Sequence, residues 1–404
     1  MSRHQRLYNT LRICQLFWLP LCFIQYNTLS AQEPDYAIPP ENEYTSLSGF
    51  YEGRAAFSAR GIILNGYIDA EQNRVIAPEF DKANAFREGL AAVAVWDSAN
   101  GYKYGYIDKQ GNTTIPLMYS EARDFSNGMA AVSEGKDKSG RYKWMYIDKN
   151  GQVLFHSPYT GDDPGSLNSG RLLVWENGLA GYVDRSGNRK IPPQYERAFD
   201  FSDGVAIVKA KVKKKRKYKS DLVRKLAEKL EYDAYEYNVI DTLGHMLFKT
   251  DVSNLNNFND GVAVYMEDGK WGLMNKKGKV ILKARYHQQP YDFKNGLSLV
   301  QVNGEEQDNK DGSIHVLNTS GEVVSVIPLC NDYGCIYDSR YGFYEGLLAV
   351  RIVSGKESGW GYIDIYGNLQ VSPQFSEAFD FAGGLALVKT LKGKLAVIKK
   401  PLLK

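Results

Sequence analysis

The chain has 404 residues, of which 43% are hydrophobic and 13% aromatic with 28 Tyr, and its formal net charge is +3. Length alone suggests two or three domains. The apolar and aromatic content supports a sizeable core and excludes a disordered chain.

At the N-terminus Arg3, Arg6 and Arg12 precede an apolar run from Ile13 to Ile24, and a polar stretch then reaches the small residues Ser30 and Ala31. This pattern predicts a secretory signal peptide over residues 1–31. The apolar run is too short to span a bilayer core, which needs about 20 residues. No later segment is long or apolar enough to be a transmembrane segment. Residues 32–48 hold three Pro and no periodicity, and read as a linker.

From Phe50 onward one phrase recurs nine times. An aromatic residue is followed three positions later by glycine, at Gly53, Gly89, Gly128, Gly204, Gly261, Gly296, Gly346 and Gly384, with Leu167 replacing the aromatic before Gly170. The usual step is 34 to 40 residues, a period that marks a solenoid, propeller or array and overrides the length-based domain count. Gly204 and Gly384 are expected to need positive φ or close backbone approach.

After each glycine comes a short Val-rich run such as Gly89 to Val95, apolar at odd and even positions, which predicts a strand buried on both faces. A second strand carries Tyr-Ile-Asp, as at 106–108, and ends in Asp-x-x-Gly, as at Asp108 to Gly111. Asp at the start of a type I turn caps its own backbone and the Gly accepts positive φ, so a hairpin with a Gly bulge is expected. A third strand such as Thr113 to Pro116 follows. Tyr195, Ala198 and Phe201 then recur every third residue, which fits neither strand nor helix and reads as an irregular crossover.

The phrase Trp-Gly-Tyr-Ile-Asp-x-x-Gly, then Ala-x-x-Phe-x-x-Gly-Leu-Ala-x-Val, resembles the WG (KWG) β-repeat family of bacterial proteins over roughly residues 49–400. The resemblance implies an all-β repeat array, common among exported proteins, with no shared catalytic residues and a binding or scaffolding role. There are departures. Only Trp271 and Trp360 keep the Trp-Gly pair, the unit from Trp144 to Gly170 has lost the usual Phe, and the unit at 314–346 is enlarged.

Little chemistry stands out from the array. His156, His245, His287 and His315 fall in different units without metal-ligand spacing, and read as surface or packing residues. The recurring Asp69, Asp108, Asp148, Asp184, Asp241 and Asp364 read as turn caps, because one carboxylate per unit lacks the dense oxygen ligands of a calcium site. Tyr67, Tyr106, Tyr146, Tyr182 and Tyr362 are read either as core residues with edge-bonded hydroxyls or as a glycan-stacking ladder, the first being preferred. No catalytic residue, cofactor site or metal site is assigned.

Two interruptions are functional candidates. Residues 209–237 begin with a basic run, and over 209–231 eleven Lys or Arg face three acids. Lys211, Lys213, Lys214, Lys215, Arg216, Lys217 and Lys219 form a candidate patch for an anionic partner, and Leu222, Val223, Leu226, Ala227 and Leu230 predict a short amphipathic helix. In the enlarged unit, Cys330 and Cys335 are the two cysteines left once the leader is removed, and predict a disulfide in an oxidising compartment.

The expected fold is all-β, about eight three-stranded units plus end pieces, forming either an open solenoid-like array or a propeller-like ring, with one helical insertion. The expected protein is an exported, non-enzymatic binding or scaffold protein of the envelope, periplasmic, surface-associated or secreted, engaging protein or polysaccharide. Alternatives are a cell-wall or glycan hydrolase, which needs two facing carboxylates, and an adaptor to anionic lipid or lipopolysaccharide through the basic insertion. Nucleic acid is not expected as a partner of an exported chain.

Overall fold

The computed structural model describes residues 33–40, 42–160, 164–211, 235–303, 312–331 and 334–402. Among these residues there is no helix, and every strand pairing is antiparallel. The expected leader, 1–31, and the expected helix at 222–230 lie outside the described residues.

The second unit shows the construction. Lys82–Ala83 pairs with Leu90–Asp97, which pairs with Gly101–Asp108, which pairs with Thr113–Tyr119. Leu90 to Ala94 are all buried, at 8% exposure or less. Successive side chains of a strand point to opposite faces, so Ala91 and Val93 pack on the first unit with Tyr67, Ile76 and Phe80, while Ala92 and Ala94 pack on the third with Val132 and Met145. Among the described residues no unit has a core of its own. The core lies between units, which is why the strand following each glycine is apolar at every position.

The crossover is more regular than the sequence suggests. In five sheets it contributes a short fourth strand, such as Arg197–Ala198 pairing with Lys209 and Val208. Two residue pairs bond there in four of these sheets and three in the first, too few to impose an alternating pattern. The three-residue period instead comes from Phe side chains entering the inter-unit core: Phe86, Phe125, Phe201 and Phe381 each lie edge-on or tilted against a tyrosine of the preceding unit, with ring centroids 4.8 to 4.9 Å apart.

Nine equivalent turns, one per copy of the phrase, are bridged in the same way, from Tyr51 with Arg54 to Ala382 with Leu385. Among the described residues the turns therefore mark nine units, where about eight plus end pieces are expected. The last two share an eight-stranded sheet, because Leu369–Ala378 continues from the third strand of one into the crossover of the next.

The stretch read as a linker is built into the fold. Tyr44–Leu47 is the first strand of the first unit, and Tyr36–Ile38 pairs with the C-terminal strand Leu395–Lys399 through Tyr36 with Ile398 and Ile38 with Val397. Lys399 N–H donates to Asp35 O at 2.7 Å, and Asn42 Nδ2 donates to Leu395 O at 2.8 Å. Ile38, Phe50, Phe57 and Val397 share one cluster. Such short strands carry no readable period, and their stability comes from a partner strand more than 350 residues away in sequence.

Within each unit the chain reverses at three places. The glycine turn and the Asp-x-x-Gly turn lie at one end of the strands, and the hairpin between the first and second strands lies at the other. All units stack in the same orientation, so the array has a face of repeated turns and a face of hairpins.

Candidate functional site

The nine repeated glycines lie on the turn face. Gly204 has φ +79° and Gly384 φ +75°, and a Cβ on either meets nothing within 4 Å. Backbone conformation, not crowding, therefore requires glycine there. Close approach belongs to the glycine of the Trp-Gly phrase: a Cβ on Gly105 would lie 2.5 Å from Ile115 O.

The residue before each turn glycine was not singled out by sequence reasoning. Glu52 accepts the N–H of Gly89 at 3.0 Å, Glu88 that of Gly128 at 2.9 Å, Asp203 that of Gly261 at 2.5 Å and Asp260 that of Gly296 at 2.7 Å. Each bond joins one unit's turn to the next. The residue after the Asp of the following unit's Asp-x-x-Gly turn closes on the same carboxylate, Lys109 on Glu52 at 3.0 Å and Lys149 on Glu88 at 3.2 Å. An acid before the glycine and a base after the turn Asp were the available signals.

The Asp-x-x-Gly turns are capped as expected. Asp108 Oδ1 accepts the N–H groups of Gln110 and Asn112 at 2.9 and 2.8 Å, and Gly111 N–H donates to Asp108 O at 3.0 Å. The Asn112 amide and these backbone donors hold the Asp108 carboxyl below its usual value.

The recurrent tyrosines are core residues. Tyr67, Tyr106, Tyr146, Tyr182 and Tyr362 are at most 2% exposed. Their hydroxyls donate to backbone carbonyls, Tyr106 to Arg123 O at 2.7 Å and Tyr182 to Phe199 O at 2.6 Å. None of these five rings is available to stack on a ligand, and the glycan ladder at these positions is not formed.

His156, His245 and His287 are exposed, and His315 is buried. Among the described residues no three His, Cys, Asp or Glu are grouped as metal ligands. Cys330 and Cys335 face each other in a small hairpin and are bonded, with Cα atoms 4.0 Å apart. This hairpin runs into Gly334–Ser339, which takes the crossover position of the eighth unit. Of the basic patch, Lys211 ends a strand, with its backbone paired to Tyr235. Lys213, Lys214, Lys215, Arg216, Lys217 and Lys219 lie outside the described residues.

The hairpin face differs from unit to unit. Connections are tight at Glu176 to Leu179 and Glu267 to Lys270. They are longer at Asp97 to Gly101 and Lys136 to Tyr142. The paired strand ends Lys211 with Tyr235 and Val302 with Ser313 also lie on this face.

Where the chain ends meet there is a cavity of about 630 Å³, lined by Tyr51, Arg87, Lys294, Tyr344, Asp380 and neighbours. The Arg87 guanidinium lies 4.0 Å from the Tyr51 ring centroid, and Lys294 Nζ 4.0 Å from that of Tyr344. Burial raises the Asp380 carboxyl, opposed by Arg340, Lys294 and a hydrogen bond from Tyr344. Cations and aromatic rings drawn from separate units here suit a polar or anionic group.

The family described as WG containing repeat matches residues 66–95, 104–136, 181–218, 239–271, 271–305 and 360–394, together about half of the chain. No curated protein matches by sequence. Among solved structures, similarity extends to Pyrococcus horikoshii acylaminoacyl peptidase, at 10% identity and TM-score 0.35 over 80% of this chain and 52% of that one. It also extends to virginiamycin B lyase from Staphylococcus aureus, at 14% identity and TM-score 0.29 over 66% of this chain and 94% of that one. The dihydro-heme d1 dehydrogenase NirN matches at 12% identity and TM-score 0.35 over 92% of this chain and 76% of that one. Likenesses this weak carry no argument about activity. The repeated phrase, its nine equivalent turns and the matched residues agree, and the chain belongs to the family of proteins built from WG containing repeats.

Proposed function

We propose that this chain is an exported, non-enzymatic binding or scaffold protein of the bacterial envelope, a propeller-like ring of nine units that presents its hairpin face to a protein or polysaccharide. The pairing of Tyr36–Ile38 with the C-terminal strand supports ring closure, because it joins the first unit to the last. One observation carries the binding reading: the nine turns of the turn face are bridged alike, whereas the connections on the hairpin face vary, from Glu176 to Leu179 and Glu267 to Lys270 up to Asp97 to Gly101 and Lys136 to Tyr142. Repetition maintains the scaffold, and the positions released from it are where recognition is placed.

The test compares variants of the two faces. Shortening residues 97–101 and 136–142 to two-residue turns should weaken capture of envelope polysaccharide or protein by the immobilised mature chain, while Lys109→Ala on the turn face should leave capture unchanged. Equal capture by all variants overturns the reading. Release of new reducing ends from the polysaccharide would replace it with the hydrolase alternative.

A second reading, contact with an anionic surface through the basic run, is supported by the paired residues that flank the run, Lys211 and Tyr235, which lie on the same face. Its signature is salt sensitivity, because exposed charges are screened within about 8 to 10 Å near physiological ionic strength. Replacing 212–234 by a short turn should then abolish binding to anionic vesicles at low salt.

A further inference from the structure

We infer that the cleft between the hairpins of the second and third units is a binding site for a neutral hexopyranose chain, an inference that rests on the hairpin face being the partner-binding face. The cleft encloses about 540 Å³. Trp96 on its wall is 58% exposed, whereas Trp144, Trp271 and Trp360 are at most 9% exposed. A large aromatic left in water within a concave site, instead of in the core, is the feature to explain.

The Trp96 ring is held in place. It sits opposite Tyr102 in the ladder, with centroids 4.9 Å apart at 75°, and lies over Gly101, where a Cβ would come within 3.9 Å of it. The hairpin tip is fixed by Asp97, which accepts the N–H groups of Ala99 and Asn100 at 2.8 and 2.9 Å. The contact with Tyr102 is T-shaped and more than half of Trp96 stays exposed, so apolar ring surface remains for the axial C–H groups of a pyranose ring.

The other rings in the cleft are already engaged. Lys82 Nζ lies 4.0 Å from the Tyr102 centroid and donates to Tyr104 OH at 2.7 Å. On the facing wall Lys136 Nζ lies 4.5 Å from the Tyr142 centroid, and Tyr142 is hydrogen-bonded to Glu121. These pairs give the cleft rigid walls and hydroxyl-binding groups at its rim. Lys82, Lys103 and Lys136 are nearly balanced by Glu121 and Glu134, so the site has little net field to select a charged ligand. An uncharged, hydroxyl-rich chain with an apolar ring face is the chemistry that matches.

The experiment is a tryptophan-fluorescence and calorimetric titration of the full mature chain with cellohexaose, chitohexaose and dextran sulfate, repeated with Trp96→Ala and Trp96→Phe. At least one neutral hexamer should bind, Trp96→Ala should weaken it at least tenfold, and Trp96→Phe should restore part of the affinity. Trp96 is exposed, so thermal melts of both variants should match the parent. Absence of binding to either neutral hexamer, binding to dextran sulfate alone, or unchanged affinity in Trp96→Ala would each overturn the inference. The face comparison above judges the wider reading separately, since a protein partner captured through shortened-hairpin-sensitive contacts would leave that reading standing while this one fails.

Discussion

The carboxylate of Glu52, in the turn of the first unit, accepts the backbone N–H of Gly89, in the turn of the second, at 3.0 Å. Lys109 Nζ reaches the same carboxylate at 3.0 Å, so one side chain clasps two turns of its neighbour. The arrangement repeats at Glu88 with Gly128 and Lys149. It ties units together along the turn face, where the inter-unit core gives way to solvent.

Removing that clasp should cost little but measurably. Glu52→Ala should lower stability by about 1 kcal/mol, because a charge-assisted hydrogen bond contributes about 1.5 to 3 kcal/mol when sheltered and partial exposure reduces it. A double-mutant cycle with Lys109→Ala, followed by denaturant unfolding, should give a coupling of about 0.2 to 1 kcal/mol that shrinks with salt. Burial opposes the charged form of Glu52, but the Lys109 ammonium and the Gly89 amide outweigh it and hold the carboxyl below its usual value. The clasp is therefore fully present above about pH 4.3, the ordinary value for Glu, and its contribution falls as the pH drops below that. A cycle coupling that is zero at all salt concentrations would remove the clasp from the account.

Two classes of glycine should respond differently to alanine. Gly204→Ala forces a side chain into positive φ with open space around it, and should cost about 1 to 2 kcal/mol. Gly105→Ala places a Cβ 2.5 Å from the carbonyl of Ile115, so the third strand must move. Thermal melts should rank Gly105→Ala well below Gly204→Ala, with Gly204→Val lower than Gly204→Ala. The reverse order would mean that the backbone conformation at Gly204, not the crowding at Gly105, is the stricter requirement for glycine.

His315 supplies a pH signature. It is 3% exposed, its Nδ1 lies 3.2 Å from Tyr286 OH, and Nε2 has no hydrogen-bond partner among the described residues. Burial, with a smaller contribution from Arg285, pushes its pKa down. The unfolded chain then binds a proton more readily than the folded one as the pH falls through about 6.5, and stability declines on acidification below that point. His315→Phe should lose this component below about pH 6.5, seen as a flatter dependence of the unfolding midpoint on pH. An unchanged profile would place the acid sensitivity elsewhere.

The Cys330–Cys335 bond closes a small ring, worth about 2 kcal/mol by loop entropy. Cys335→Ser should lower the melting temperature, and a reductant should do the same to the parent but not to the variant. Equal melts with and without reductant would show the bond to be dispensable. Mass spectrometry of the protein under non-reducing conditions checks that it forms.

The sequence by itself determined the repeat, its glycine turns, the capped Asp-x-x-Gly hairpins and the burial of the post-glycine strand on both faces. These are local or periodic: Asp108 caps its own turn, and Ala91 with Ala92 record two packed faces in adjacent letters. The preferred reading of the tyrosines also held, because a buried ring with one polar atom needs a partner at the core edge, and Arg123 O supplies it to Tyr106. Only the tertiary structure decided what depends on distant pairing. Tyr36–Ile38 reads as linker until the C-terminal strand offers it hydrogen bonds. Glu52 and Lys109 are ordinary surface letters until stacking brings two turns together. The exposure of Trp96 is set by the structure alone, where the hairpin carries it beyond the inter-unit core, because a strand's period specifies which side a residue faces but not where along the strand the neighbouring unit ends.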